Sequence, residues 1–278
     1  MSTRAFTAIL TAVADSVATV TLHNPTRKNA IGPVMVNELL HVLEIAAADP
    51  AVRVIVITGA GDAFCAGGDF SQMPDQTMGL RSAEPSSAPN PGGAESDALP
   101  HKGDYADLLL AMTRSPKPIV ARVNGPAMGG GLGLVAASHF AVAARTARLG
   151  TPEINVGLFP MMIMAVLQRL LSKRHLLEIM LLGERMDADH AVTIGLINKA
   201  VDARDLDAAV KQITDALSAK SPLIMRLGLE AFAAQADLDL ETALPLLRER
   251  LAGVLATDDA REGLTAFLEK RTPVWVGK

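Results

Sequence analysis

The chain has 278 residues, a formal net charge of −4, and a composition that is 49 % apolar, 20 % charged and 3 % aromatic. The apolar half can bury a sizeable core and excludes a disordered chain. The missing basic surplus excludes an electrostatic nucleic-acid binder, and so few rings exclude a base-stacking platform.

The single cysteine, Cys65, rules out an intrachain disulfide framework and a multi-cysteine zinc site. It points to a reducing, cytoplasmic setting. Residues 1–10 carry no apolar run behind a basic flank, so no signal peptide is expected. The apolar run at 156–167 is interrupted by Gly157 and Pro160 and falls short of the roughly 20 residues that span a bilayer. No membrane association is expected.

Residues 6–22 read as two short strands, the second (17–22) alternating apolar and polar. Asn24-Pro25 breaks the pattern. Helical spacing runs over 33–48. The β-branched run at 52–58 predicts a strand covered on both faces. Residues 71–103 hold five prolines, four glycines and no apolar period, and are expected to form a flexible lid over a site, with a simple surface insert as the plainer alternative.

Helical spacing resumes at 104–115. A strand is predicted at 118–123, a helix over 128–137 and a strand at 140–144. Helices are predicted over 156–171, 176–182 and 187–195, the last ending on Gly195. From residue 203 the pattern is helical throughout. The expected class is therefore α/β to about residue 200, followed by an all-helical region over 201–278.

Two glycine-rich turns can carry chemistry. Phe64-Cys-Ala-Gly-Gly-Asp69 and Asn124-Gly-Pro-Ala-Met-Gly-Gly-Gly-Leu-Gly133 each follow a strand and are expected to open a helix. Glycine lets a backbone approach a ligand closely, and free N–H groups at a helix start favour negative charge. If the two turns converge, they form an oxyanion hole. Tight turning and close helix packing would explain either turn alone. A dinucleotide site at 129–133 fails because the spacing is not GxGxxG and no strand–helix–strand setting is expected.

Glu153 lies in the apolar, glycine-containing segment 150–160. A carboxylate there has a raised pKa and can act as acid and base; a capping or ion-paired glutamate is the plainer alternative. Asp69 is placed to cap a helix. Cys65 reads as a packing residue, and the six histidines show no ligand spacing. No metal site, P-loop or G-x-S-x-G elbow is found.

In order and spacing, Leu22-His-Asn-Pro-Thr-Arg-Lys-Asn-Ala30, Ala63-Phe-Cys-Ala-Gly-Gly-Asp69, Val123 to Gly133, Thr151-Pro-Glu-Ile-Asn-Val-Gly157, 188–198 and Glu262 to Arg271 together resemble the enoyl-CoA hydratase/isomerase (crotonase) superfamily. The resemblance implies a crotonase-like spiral of repeated ββα units with an all-helical C-terminal region. That region would serve oligomerisation as a homotrimer or a dimer of trimers. It implies an acyl-CoA thioester as ligand and no separate cofactor. The N–H groups of Gly68 and Gly130 would hold the thioester oxygen, and Glu153 would move protons. Lys28, Ala30 and Ala66 would lie along coenzyme A, Asp69, Phe70 and Gly133 would also contact the substrate, the stretch after Asp69 would border the acyl pocket, and Phe267, Lys270 and Arg271 would reach the nucleotide end, including that of a neighbouring subunit.

Hydratases of this superfamily typically use a second glutamate, and its place falls on Gly133, which has no side chain. His139 stands where many relatives carry aspartate and reads as structural. Met161, Met162 and Met164 read as core residues or as lining for an acyl pocket. The expected activity is of the enoyl-CoA hydratase type. A single glutamate also suits a double-bond isomerase, a C–C lyase or a thioester hydrolase. A coenzyme A ester binder without turnover and a structural scaffold are the readings from other classes.

Overall fold

The alternation at 17–22 is realised as strand β2 (Val17–Leu22), whose Ala18, Val20 and Leu22 are fully buried. It pairs antiparallel with β1 (Ile9–Ala14) across a turn in which Asp15 and Ser16 both have positive φ, 49° and 63°. That handedness matches the twist of a tight hairpin. The computed structural model describes residues 6–69 and 99–278.

Pro33 opens helix α1 (Pro33–Ala48), where its lost N–H would have had no partner anyway. Strand β3 (Val54–Gly59) is buried along its whole length, as a continuous β-branched run demands. It pairs in parallel with β2 and with β4 (Ile119–Val123). Between them in sequence lies α2 (Tyr105–Thr113), started by a reciprocal capping box of Asp104 and Asp107. Strands β6 (Phe140–Ala144) and β9 (Lys199–Val201) complete a six-stranded sheet in the order β1-β2-β3-β4-β6-β9.

A second sheet joins β5 (Ala127–Met128), β7 (Arg148–Gly150) and β8 (Arg185–Asp187). Helix α3 (Gly130–Ala137) follows β5, and a 3₁₀ turn (Pro152–Val156) follows β7. Thus β1-β2-α1, β4-β5-α3 and β6-β7-3₁₀ repeat the expected ββα order. The remaining helices are α4 (Met161–Leu167), α5 (Lys173–Leu182), α6 (Ala188–Thr193), α7 (Leu206–Ser218), α8 (Pro222–Gln235), α9 (Leu240–Leu255) and α10 (Asp258–Glu269).

The main core lies between the large sheet and α1, α2 and α3, around Leu39, Phe64, Leu108, Met112 and Leu132. On the other face, Val54, Val56, Val120 and Val142 pack under Leu206, Ala209 and Val210 of α7. The sheet is therefore covered on both sides, as parallel strands require.

Two expectations need correction here. The helix predicted over 156–171 is interrupted, because Gly157 takes φ 78° and Pro160 precedes the first turn of α4. Met161 and Met162 are exposed, so core packing falls to Ile163 and Leu167. Second, α3 does sit in a strand–helix–strand unit, since β4 and β6 are parallel neighbours. The strands predicted at 118–123 and 140–144 flank that helix, so the dinucleotide reading fails on its glycine spacing rather than on its setting. The lid expected over 71–103 lies outside the described residues except for 99–103, which dock on α1: Asn37 Nδ2 donates to the Pro100 carbonyl at 3.1 Å, and its Oδ1 accepts from the Lys102 N–H at 2.8 Å.

Two asparagines fix the turn after β3. Asn29 Nδ2 donates to the carbonyls of Ala60 (2.8 Å) and Ala63 (2.9 Å), while its Oδ1 accepts from the Asn24 N–H (3.0 Å). Asn124 Nδ2 donates to Gly61 (3.0 Å) and Ala63 (3.3 Å), and its Oδ1 accepts from the Gly59 N–H (3.0 Å). Asn29 is fully buried with φ 57°, a conformation asparagine tolerates better than most residues. Asn29→Ala strands two buried carbonyl contacts and an amide, and should lower unfolding free energy by about 1–3 kcal/mol. Urea unfolding measures this; wild-type stability in the variant would refute the clamp.

Candidate active site

Both glycine turns leave the C-terminal ends of adjacent parallel strands, β3 and β4. The first, 64–69, does not open a helix within the described residues. It runs extended between two partners. On one side the Ala66 N–H donates to the Lys28 carbonyl (2.9 Å), the Ile31 N–H to Gly67 (2.7 Å) and the Asp69 N–H to Ile31 (2.9 Å). On the other side the Cys65 N–H donates to Pro126 (3.0 Å) and the Met128 N–H to Cys65 (2.9 Å). Lys28, Ala30 and Ala66 are thereby brought along one edge beside Gly68, with Lys28 and Ala66 exposed. Nothing in the described structure accepts from the Gly68 N–H.

The second turn opens α3 as expected. Gly130 is its first helical residue, so its N–H has no intrahelical acceptor. Ile31 links the two turns: it bridges to Gly68, and its Cδ1 lies 3.4 Å from where a Cβ on Gly130 would be. Two unpaired N–H groups therefore stand on adjoining backbone segments. Preorganised donors of this kind stabilise a developing oxyanion by about 3 kcal/mol each.

Glu153 sits in the 3₁₀ turn between Pro152 at its start and left-handed Gly157 at its end. The turn is pinned to α5 and its end: Thr151 Oγ1 donates to the Ile179 carbonyl at 2.8 Å, and Asn155 Nδ2 to Gly183 at 3.1 Å. The carboxylate lies against Gly129. A Cβ on that residue would meet Glu153 Cδ at 2.9 Å, and φ 48° with ψ −120° disfavours a side chain there in any case. Glu153 Oε2 is buried without a hydrogen-bond partner, and burial raises the carboxyl pKa above its ordinary value.

Gly133 is buried in α3. A Cβ there would collide with the Tyr105 hydroxyl and lie 2.5 Å from Ile163 Cγ2. Tyr105, the chain's single tyrosine, was not singled out by sequence reasoning; its hydroxyl donates to the Gly130 carbonyl at 2.5 Å. The available signal was its position, one residue after the capping Asp104. Ile31 and Thr151 were also missed, since neither carries reactive chemistry.

The remaining candidates divide. Asp69 is buried, with Arg27 Nη1 at 3.9 Å. Phe70 lies outside the described residues. Phe267, Lys270 and Arg271 lie on or just after α10, which packs against α8 and α9, and this chain's own fold does not bring them into the glycine cluster. Phe267 is 80 % exposed. Arg271 pairs with Glu262 and Glu269, and that guanidinium pulls the Glu262 carboxyl down to about 2.

Cys65 is fully buried and its thiol is pushed up to about 12 by burial, which makes it a packing residue. His139 Nδ1 accepts from the Ile119 N–H at 3.0 Å, and burial lowers its pKa. It is a neutral structural residue. Among the described residues no cluster of three His, Cys, Asp or Glu side chains is arranged to hold a metal ion, and no helix is long and apolar enough to cross a membrane.

Known proteins resemble this chain over nearly its whole length. The sequence model of the family described as enoyl-CoA hydratase/isomerase matches residues 12–278. Crotonyl-CoA hydratase of Syntrophomonas wolfei is 32 % identical over 266 residues, covering 95 % of this chain and 96 % of that protein. A mitochondrial enoyl-CoA hydratase domain-containing protein of Mus musculus is 31 % identical over 261 residues, covering 94 % and 82 %. The crystal structure of an enoyl-CoA hydratase from Mycobacterium smegmatis superposes with a TM-score of 0.84 at 32 % identity, covering 97 % and 99 %. The chain belongs to the enoyl-CoA hydratase/isomerase family and is an enzyme of the hydratase/isomerase type.

Proposed function

We propose that the protein adds water across the double bond of a 2-enoyl-CoA thioester, with Glu153 as its proton-transfer group and the N–H groups of Gly68 and Gly130 as its oxyanion hole. The observation that carries this is the buried, unpartnered Glu153 Oε2 beside the Gly129–Gly130 turn. Evolution rarely leaves such a carboxylate oxygen unpaired except where a substrate completes the site.

The chemistry follows from the parts. Conjugation with the thioester carbonyl makes C3 of the substrate electrophilic. When water attacks C3, the π electrons move toward the carbonyl oxygen, and the two N–H donors stabilise the enolate. Glu153 takes a proton from water and returns it to C2, which restores the carbonyl and the carboxylate.

Lys28, Ala30 and Ala66 form an edge beside Gly68 along which coenzyme A would lie. Asp69 would contact the substrate. The exposed apolar side chains of α8–α10, among them Phe232, Leu240, Leu244, Phe267 and Leu268, support oligomerisation of the 201–278 region as a homotrimer or a dimer of trimers. In such an assembly Phe267 and Lys270 would reach a neighbour's ligand. This reading requires no cofactor, and the buried Cys65 suits a reducing, cytoplasmic compartment. One observation favours a second reading, migration of a double bond from C3 to C2: Gly133 offers no second carboxylate beside Glu153, and one base can shuttle a proton between C4 and C2.

Mass spectrometry of crotonyl-CoA and a 3-enoyl-CoA incubated with the enzyme in heavy water separates the readings. Hydration appears as one added water; isomerisation appears as deuterium uptake without added water. Neither change, with ester binding intact, would favour a non-catalytic binder. Glu153→Gln should reduce turnover at least about 100-fold while leaving ester affinity within a few-fold. Because burial raises the Glu153 pKa, wild-type activity should climb with pH through a midpoint above the ordinary carboxylate value of about 4.3. The same raised pKa stabilises the fold only at low pH and is lost as pH rises through it. Calorimetry at neutral pH should therefore find Glu153→Gln melting at or above the wild-type temperature.

A further inference from the structure

The family's usual second carboxylate has no counterpart at Gly133, yet the space beside Gly133 is filled. The Tyr105 hydroxyl lies inside contact distance of a Cβ built there, and 3.5 Å from one built on Gly130. It donates its proton to the Gly130 carbonyl at 2.5 Å. Glu153 packs against Gly129, so the tyrosine hydroxyl and the glutamate flank the same glycine turn. A tyrosine oxygen whose proton is committed to a carbonyl can still accept a hydrogen bond.

We infer that Tyr105 stands in for the missing carboxylate by accepting a hydrogen bond from the attacking water and orienting it between itself and Glu153. This inference rests on the hydration reading above. Burial, with further contributions from Cys65 and Glu153, raises the Tyr105 pKa well above its ordinary value. The phenol therefore stays protonated and cannot serve as the base.

The step balances with Glu153 as the only proton carrier. Water presents one O–H to Tyr105 Oη and the other to Glu153. Its oxygen forms the new bond to C3 as the C2=C3 π pair shifts toward the thioester oxygen. The proton facing Glu153 moves to the carboxylate and is then delivered to C2. The O–H facing Tyr105 remains as the product hydroxyl, and Tyr105 itself exchanges nothing.

The test uses the full-length enzyme, with hydration of crotonyl-CoA and exchange of the C2 proton of butyryl-CoA in heavy water measured side by side. Exchange needs Glu153 and the oxyanion hole but no attacking water. Tyr105→Phe should slow hydration kcat about 30- to 100-fold, with KM and the exchange rate each within threefold of wild type. Gly133→Ala, whose Cβ displaces the hydroxyl without altering it, should show the same split. Glu153→Gln should lose both reactions. Hydration within twofold of wild type in folded Tyr105→Phe would overturn the proposal. Equal losses of hydration and exchange would also overturn it, because Tyr105 would then only hold Gly130 in place. A wild type that exchanges protons but adds no water would remove the hydration reading and this inference together. A wild type that hydrates while Tyr105→Phe is unimpaired would remove this inference alone.

Discussion

Two asparagine side chains govern the geometry on which everything else rests. Asn29 and Asn124 reach the turn after β3 from opposite segments, and both donate to the carbonyl of Ala63. Each amide also accepts a backbone N–H, so each ties strand-end backbone to loop backbone in two directions. An aspartate could accept but not donate, and a glutamine would be a methylene too long. The segment carrying Gly68 is thereby held against the one carrying Gly130 without a helix of its own. Donors positioned in this way need no reorganisation when charge develops, which is the physical basis of oxyanion stabilisation.

The same site works against stability. Among the described residues it leaves two backbone N–H groups and one carboxylate oxygen without partners, and it holds Gly129 at φ 48°, ψ −120°. A buried polar atom left unpaired, as Glu153 Oε2 is, disfavours the folded state by roughly 1–3 kcal/mol. The compensation lies elsewhere, in the parallel strands of the large sheet, covered on both faces, and in a glutamate turn pinned by Thr151 and Asn155. Local conflict of this kind is concentrated around the glycine turns, although His23 Nδ1 and Ser218 Oγ are also buried without a partner among the described residues.

Much of this was legible in the residues. The bounds of α1 and β6 follow from spacing alone, because Pro33 and the apolar run at 140–144 mark their edges. Glycine chemistry and family resemblance together point to Glu153, Gly68 and Gly130 as candidates, and the fold puts the two turns on adjoining segments and Glu153 against Gly129. The strands of the small sheet were not legible, because two or three residues cannot display a period. The break in 156–171 was misjudged because apolar content outweighed Gly157 and Pro160. Tyr105 was invisible for a different reason: its importance comes from the space above Gly133, and no local pattern encodes a tertiary contact across 28 positions.

The large sheet has one further property. Its spatial order, β1-β2-β3-β4-β6-β9, is the order in which those strands occur along the chain. No strand has to insert between two already paired ones; each new strand adds to the open edge left by its predecessor. A chain emerging from the ribosome can therefore build the sheet as it lengthens, in the direction of synthesis. The residues of the proposed site arrive on the same schedule: Gly68 after β3, Gly130 after β4, and Glu153 after β6. The unpaired carboxylate, the least favourable piece to bury, is delivered last, onto a surface already assembled to receive it.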